Sequence, residues 1–185
     1  MNFSKIYCIV YDFDGVMTDN KALLGINGNE YVSINRSDGL AVSLFKKMGM
    51  RQVIITTEKY PLASARAKKL GIDIVQGSED KGDAVTEYCR ANGIDLQSVL
   101  YIGNDINDLP AMKKVAMRGA PADAEPEIIA IADWISVKNG GDGVVRDLYR
   151  FIYGEGWSDT IKVQCLNCRK PKGNGNEKLR SKFQG

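Results

Sequence analysis

The chain opens on an unbroken apolar run, Ile6–Tyr11, that stops abruptly at Asp12. A run this short, apolar at every position, reads as a strand buried on both faces. Ala22–Ile26 and Glu30–Ile34 flank Asn27-Gly28-Asn29, the spacing of a hairpin around a glycine turn. From Ser37-Asp38-Gly39 the rhythm becomes helical, with Leu40, Leu44, Phe45 and Met48 sharing a face up to Gly49. Strand and helix patterns then alternate: strand Gln52–Ile55, helix Pro61–Leu70, strand Ile72–Gln76, helix Asp80–Ala91, strand Val99–Ile102. A short helix Leu109–Lys114 precedes a small strand Val115–Met117. Helix Ala124–Ala132, strand Trp134–Val137, turn Gly140–Gly143 and helix Val144–Tyr153 follow. Helices of this length between strands predict an α/β fold, a Rossmann-like parallel sheet covered on both faces, with the hairpin protruding from it.

The first strand delivers two acids. Asp12 and Asp14 are two residues apart, so in extended chain they point to one face and converge beyond the strand's C-terminal edge, where open α/β sheets hold ligands. Two carboxylates at about 4 Å repel by roughly 4 kcal/mol at an effective dielectric of about 20. Either a hard cation such as Mg2+ relieves this, or one acid keeps a proton. Both arrangements suit an aspartate nucleophile beside an acid that shuttles a proton. An N-cap or a turn is the plain structural alternative.

Composition narrows the chemistry. Histidine is absent, which excludes an imidazole base, a Ser-His pair and a His-ligated zinc. The formal charge is +2, but residues 159–185 hold seven Lys and Arg against two acids, leaving 1–158 near −3. The expected organisation is one domain over 1–158 and a flexible basic tail over 159–185, with no electrostatic case for nucleic acid. Cys165 and Cys168 are a lone Cys-x-x-Cys, too few ligands for zinc. No secretory leader or membrane-length apolar run is visible, so a cytoplasmic protein is expected.

Further polar residues recur at the ends of successive strands: Thr56-Thr57-Glu58, Asp80-Lys81, and Gly103-Asn104-Asp105-Ile106-Asn107-Asp108. A phosphate monoester needs an in-line nucleophile, charge neutralisation on its oxygens and a proton donor for the leaving group. Thr56 can hydrogen-bond a phosphoryl oxygen, or cap a helix; Lys81 can offset its charge, or begin a helix in solvent.

In this order the residues resemble the haloacid dehalogenase (HAD) superfamily of phosphotransferases, over about residues 5–153. The carriers are DxDGVxTD at Asp12–Asp19, a Thr closing the second core strand, Lys81, and the acidic loop Asn104–Asp108. The resemblance implies Asp12 as nucleophile and Asp14 as general acid/base. It implies Mg2+ on Asp12 and the Asp14 carbonyl, and Thr56 and Lys81 holding the phosphoryl group.

The hairpin directly after DxDGVxTD, the Arg66-x-x-x-Leu70-Gly71-Ile72 pattern and Gly140-Gly141-x-Gly143-x-x-Arg146 look like the branch without a cap domain that dephosphorylates 3-deoxy-2-ulosonic acid phosphates. That branch forms homotetramers through the hairpin. Arg66 and Arg146 become candidates for the substrate carboxylate. Glu58 and Lys69 match members acting on nine-carbon, sialic-acid-like nonulosonate 9-phosphates; the alternative is the eight-carbon 3-deoxy-D-manno-octulosonate 8-phosphate.

One position departs from the pattern. The superfamily usually has Asp after the glycine of the fourth motif as a Mg2+ ligand, where this chain has Asn104. An amide oxygen coordinates without adding charge, so metal affinity should fall; Asp105 could rotate in, and Asp108 would orient the site. A similar Gly-Asn departure occurs in domains fused to acylneuraminate cytidylyltransferases, so a low-activity oligomerisation or regulatory module is the competing expectation.

Overall fold

The computed structural model describes residues 3–154. The expected boundary at 158, the basic tail 159–185 and Cys165 with Cys168 lie outside the described residues. Six parallel strands form the central sheet: β1 (Cys8–Tyr11), β4 (Arg51–Thr56), β5 (Asp73–Gln76), β6 (Val99–Ile102), β7 (Met117–Ala120) and β8 (Trp134–Ile135), in the order β5-β4-β1-β6-β7-β8. Strands β2 (Ala22–Leu24) and β3 (Glu30–Val32) form a separate antiparallel hairpin. Its turn is closed by Gly25 N–H on Asn29 O at 2.7 Å, with Gly28 at φ +79°.

Helices α1 (Arg36–Lys47), α2 (Pro61–Leu70) and α6 (Val144–Tyr153) lie on one face; α3 (Lys81–Asn92), α4 (Leu109–Met112) and α5 (Pro126–Ile129) lie on the other. The two-residue period of the strands divides the core between them. Ile9, Tyr11, Ile54, Leu100 and Ile102 pack towards α1 and α6, whereas Cys8, Val10, Val53, Ile55, Val99 and Tyr101 pack towards α3 and α4. This explains the absence of polar alternation in β1 and β6, where every residue is buried. Gln52 of β4 is buried and polar, and it is satisfied: it accepts from Tyr11 Oη at 2.9 Å and donates to Val42 O at 3.0 Å.

Three expectations shift. The inward stripe of α1 is Asp38, Ala41, Val42 and Phe45, and Leu40 is turned outward. The strand expected at Val115–Met117 lies at Met117–Ala120. Gly119 and Ala120, which look like turn residues, belong in it because the Trp134 ring packs over Gly119, where a Cβ would stand 3.1 Å from the indole. The helix expected at Ala124–Ala132 is reduced to the single turn Pro126–Ile129.

Candidate active site

All four segments that close a cavity of about 300 Å³ leave the C-terminal edge of the sheet, with hairpin residues Ala22, Glu30 and Val32 forming its outer wall. Asp12, Asp14, Thr56, Glu58, Lys81, Asn104 and Asp105 line it. The strand order explains their meeting: β1 lies between β4 and β6, in register with both, so Tyr11 is level with Ile54 and Ile102.

Lys81 is the electrostatic centre. Its Nζ lies 2.8 Å from Asp12 Oδ2 and 2.8 Å from Asp108 Oδ1, with the lysine side chain only 1 % exposed. It stands at the first position of α3, whose N-cap is Asp80, accepting from Asp83 N–H at 2.9 Å. Gly82 next to it lets the helix close against the Pro110 backbone, which a Cβ would meet at 2.9 Å. Burial opposes the ammonium, but the two carboxylates outweigh it and raise its pKa. Burial, reinforced by Asp108, pushes the Asp12 carboxyl up to about 8 despite Lys81 and the Phe13 N–H, which donates to Asp12 Oδ1 at 2.7 Å. Burial and the charge of Asp108 thus oppose ionisation of Asp12, and Lys81 favours it.

Asp14 is more open. Burial raises its pKa, Glu58 and Glu30 add to the rise, and the Thr18 hydroxyl donates to its Oδ1 at 3.0 Å and works the other way. Thr18 is fully buried and also accepts from Gly15 and Asn20 N–H, so it fixes the loop as well as the acid. Thr56, at the end of β4, accepts from Glu58 N–H at 3.2 Å.

Asp108 does not line the cavity. It is fully buried beneath it, taking Lys81 Nζ and Tyr101 Oη on Oδ1 at 2.8 Å each, and Asn104 N–H on Oδ2 at 2.9 Å. Asp105 caps the turn Ile106–Asp108, accepting from Ile106 N–H, in a reciprocal capping box with Asp108. Its carboxylate thus braces the loop while the residue lines the cavity.

Among the described residues no cluster of three His, Cys, Asp or Glu side chains is placed to hold a metal. A mixed set is. The Asn104 amide end lies 3.1 Å from Asp12 Oδ2 and 2.9 Å from the Asp14 carbonyl oxygen. With metal–oxygen bonds of about 2.1 Å, neighbouring oxygens around an octahedral Mg2+ stand about 3 Å apart. One carboxylate, one main-chain carbonyl and one amide, if its oxygen faces in, thus match the edge of a Mg2+ shell. The residues fit a hard divalent cation.

Three residues expected at the substrate lie outside the cavity lining. Arg66 lies on the inward face of α2, and its Nη2 donates to Asn35 O at 3.1 Å at the start of α1. Arg146 stacks over the Tyr149 ring, 5.5 Å from its centre, and its N–H donates to Asp38 Oδ1. Lys69 is exposed on α2. Conversely Asn20, Lys21 and Tyr60 line the cavity, and in the sequence only their adjacency to the motifs points to them. Tyr60 ties the hairpin turn to the start of α2 by donating to Gly28 O at 3.2 Å.

An all-parallel α/β sheet carrying an aspartate pair, a buried lysine and an asparagine amide at one edge defines a phosphate-ester hydrolase of the Rossmann-like class. The model of the haloacid dehalogenase-like hydrolase family matches residues 39–148, and the chain belongs to that family. It is a phosphoric monoester hydrolase of HAD type. It is 34 % identical over 164 residues to 3-deoxy-D-manno-octulosonate 8-phosphate phosphatases of Salmonella typhi and Escherichia coli K12, covering 88 % of this chain and 87 % of each relative. The Moraxella catarrhalis 3-deoxy-D-manno-octulosonate 8-phosphate phosphatase, solved with magnesium, phosphate and KDO, superposes with a TM-score of 0.78 at 31 % identity, over 81 % of this chain and 87 % of that one. The cobalt-bound deoxy-D-mannose-octulosonate 8-phosphate phosphatase of Haemophilus influenzae gives 0.79 at 25 % identity, over 89 % and 98 %.

Proposed function

We propose that this chain removes the terminal phosphate of a 3-deoxy-2-keto sugar acid with the help of Mg2+, using Asp12 as nucleophile. The observation that carries the reading is the Lys81–Asp12 pair at 2.8 Å in a cavity that also holds Asp14, Thr56 and Asn104. Lys81 fixes one oxygen of Asp12, and Asp12, the Asp14 carbonyl and the Asn104 amide oxygen would hold the cation, which supplies positive charge to the phosphoryl oxygens and to Asp12. Asp12 attacks phosphorus; the P–O bond to the sugar breaks and Asp14 gives its proton to the departing oxygen. Asp14, now ionised, takes a proton from water as that water attacks the aspartyl-phosphate, releasing phosphate and restoring Asp12. Burial raises the Asp14 pKa, the direction that favours a proton donor. Thr56 and Lys81 hold the phosphoryl oxygens.

For the sugar, the nine-carbon reading, a sialic-acid-like nonulosonate 9-phosphate, is supported by Glu58, which lines the cavity. The eight-carbon reading is favoured by the relatives, named for octulosonate 8-phosphate, and by Lys69 lying outside the cavity. Phosphate release measured on both sugar phosphates, with and without Mg2+, decides. At least tenfold preference for the nine-carbon ester supports the first reading, and the reverse preference the second; no release from either sinks the sugar-acid assignment.

The hairpin supports a homotetramer: Leu23, Leu24, Ile26 and Tyr31 are all exposed on it, and an isolated two-stranded sheet is marginal in water. A cytoplasmic location fits Cys8 and Cys89, both buried free thiols. Among the described residues no helix is long and apolar enough to cross a membrane.

A further inference from the structure

The amide of Asn104 has two ends of nearly equal size, exchanged by a half-turn about Cβ–Cγ. With Nδ2 facing the acids it donates to Asp12 Oδ2 at 3.1 Å and to the Asp14 carbonyl at 2.9 Å. With Oδ1 facing them, Asn104 brings a third oxygen against Asp12 Oδ2 and the Asp14 carbonyl and no proton of its own to share, an arrangement that a cation relieves. An aspartate at this position, when ionised, has only the second option. The contact is close because residue 15 is glycine: a Cβ there, at φ +82°, would collide with the Asn104 amide. The main chain behind it is tied at both ends, since Asn104 N–H donates to the buried Asp108 and its carbonyl accepts from Glu125 N–H at 2.9 Å. Only the amide itself needs to turn.

We propose that Asn104 is a two-state latch for the cation site. Without a cation, Nδ2 faces inward and its two hydrogen bonds hold Asp12 and the Asp14 carbonyl in place. When the cation enters, the amide turns by half a revolution and presents Oδ1 to it. This rests on the metal-dependent reading above, but concerns the site before it is loaded. Two consequences separate it from a simple loss of charge. The empty site stays organised, and cation binding is weakened by the two hydrogen bonds that must break, about tenfold or more.

The test uses the full chain and its Asn104→Asp and Asn104→Ala variants, in EDTA and in saturating Mg2+. The Asn104 side-chain amide is the NMR signal pair missing from both variants. Its protons are expected to exchange with water at least tenfold more slowly in EDTA than in Mg2+. By calorimetry Asn104→Asp is expected to bind Mg2+ at least tenfold more tightly than wild type, yet in EDTA both variants melt below it. Equal amide exchange in the two conditions, an Asn104→Asp variant as stable as wild type in EDTA, or no Mg2+ binding to wild type would each overturn the latch. None of these readouts involves phosphate release, so an inactive protein that passes them contradicts the phosphatase reading and leaves the latch standing.

Discussion

Lys81 Nζ stands 2.8 Å from Asp12 Oδ2, and Asp108 holds the same ammonium from the opposite side at 2.8 Å, all three nearly or wholly sealed from solvent. One buried cation thus positions the proposed nucleophile and anchors it to the fourth loop. Replacing Lys81 by Met leaves two buried carboxylates without their partner. A loss of about 3–5 kcal/mol is expected in urea unfolding. Adding Asp108→Asn should recover part of that stability but none of the activity; an undiminished Lys81→Met protein would contradict the role given to this pair.

The 140–143 turn is shaped to lie against the acid loop. A Cβ on Gly140 would collide with the Gly15 carbonyl oxygen, and one on Gly141 would meet Asp19 N at 2.6 Å. Gly140→Ala is expected to cost about 2–3 kcal/mol and to lower kcat at least tenfold by displacing the loop that carries Asp14. Gly49→Ala is the comparison: φ is +75° but nothing lies within 4 Å, so about 1 kcal/mol is lost and activity stays. Equal effects of the two substitutions on kcat would remove the packing argument.

Asp38 links two helices: from the first turn of α1 it accepts the N–H of Arg146 at the start of α6. Burial pushes its pKa up from 3.8 to about 6, against the Arg146 N–H and the nearby Arg66 guanidinium. The folded chain therefore binds this proton more tightly than the unfolded one. The stabilisation is complete below about pH 4 and is lost as the pH rises through about 6, some 3 kcal/mol in all. Unfolding wild type and Asp38→Asn from pH 4 to 7 should show the stability difference moving by about that amount in favour of the variant. A constant difference would mean that Asp38 is ionised throughout.

Much of this architecture can be read from residue order, for identifiable reasons. Strands β1 and β6 are apolar at every position because helices cover both faces, and the acids at Asp12 and Asp14 mark where cover ends. Lys81 was located by its place in the motif order, but its burial between Asp12 and Asp108 was not legible, because nothing local to a helix start shows what it faces. Arg66, Lys69 and Arg146 failed to reach the cavity for the same reason. Helical spacing groups residues on a face but does not say which face meets the sheet edge, and α2 turns Arg66 beneath α1 instead. The capping role of Asp105, beside its place in the cavity lining, was not legible either, since only the fold shows that the tight turn Ile106–Asp108 leaves main-chain N–H groups that need an acceptor.

The central claim is the covalent role of Asp12, and acid-quenching the protein during turnover tests it most directly. Digestion and mass spectrometry should find one phosphoryl group on the peptide carrying Asp12, absent in Asp12→Asn, which should also release no phosphate. Steady phosphate release with no phosphoryl group on that peptide, or continued turnover by Asp12→Asn, would contradict it.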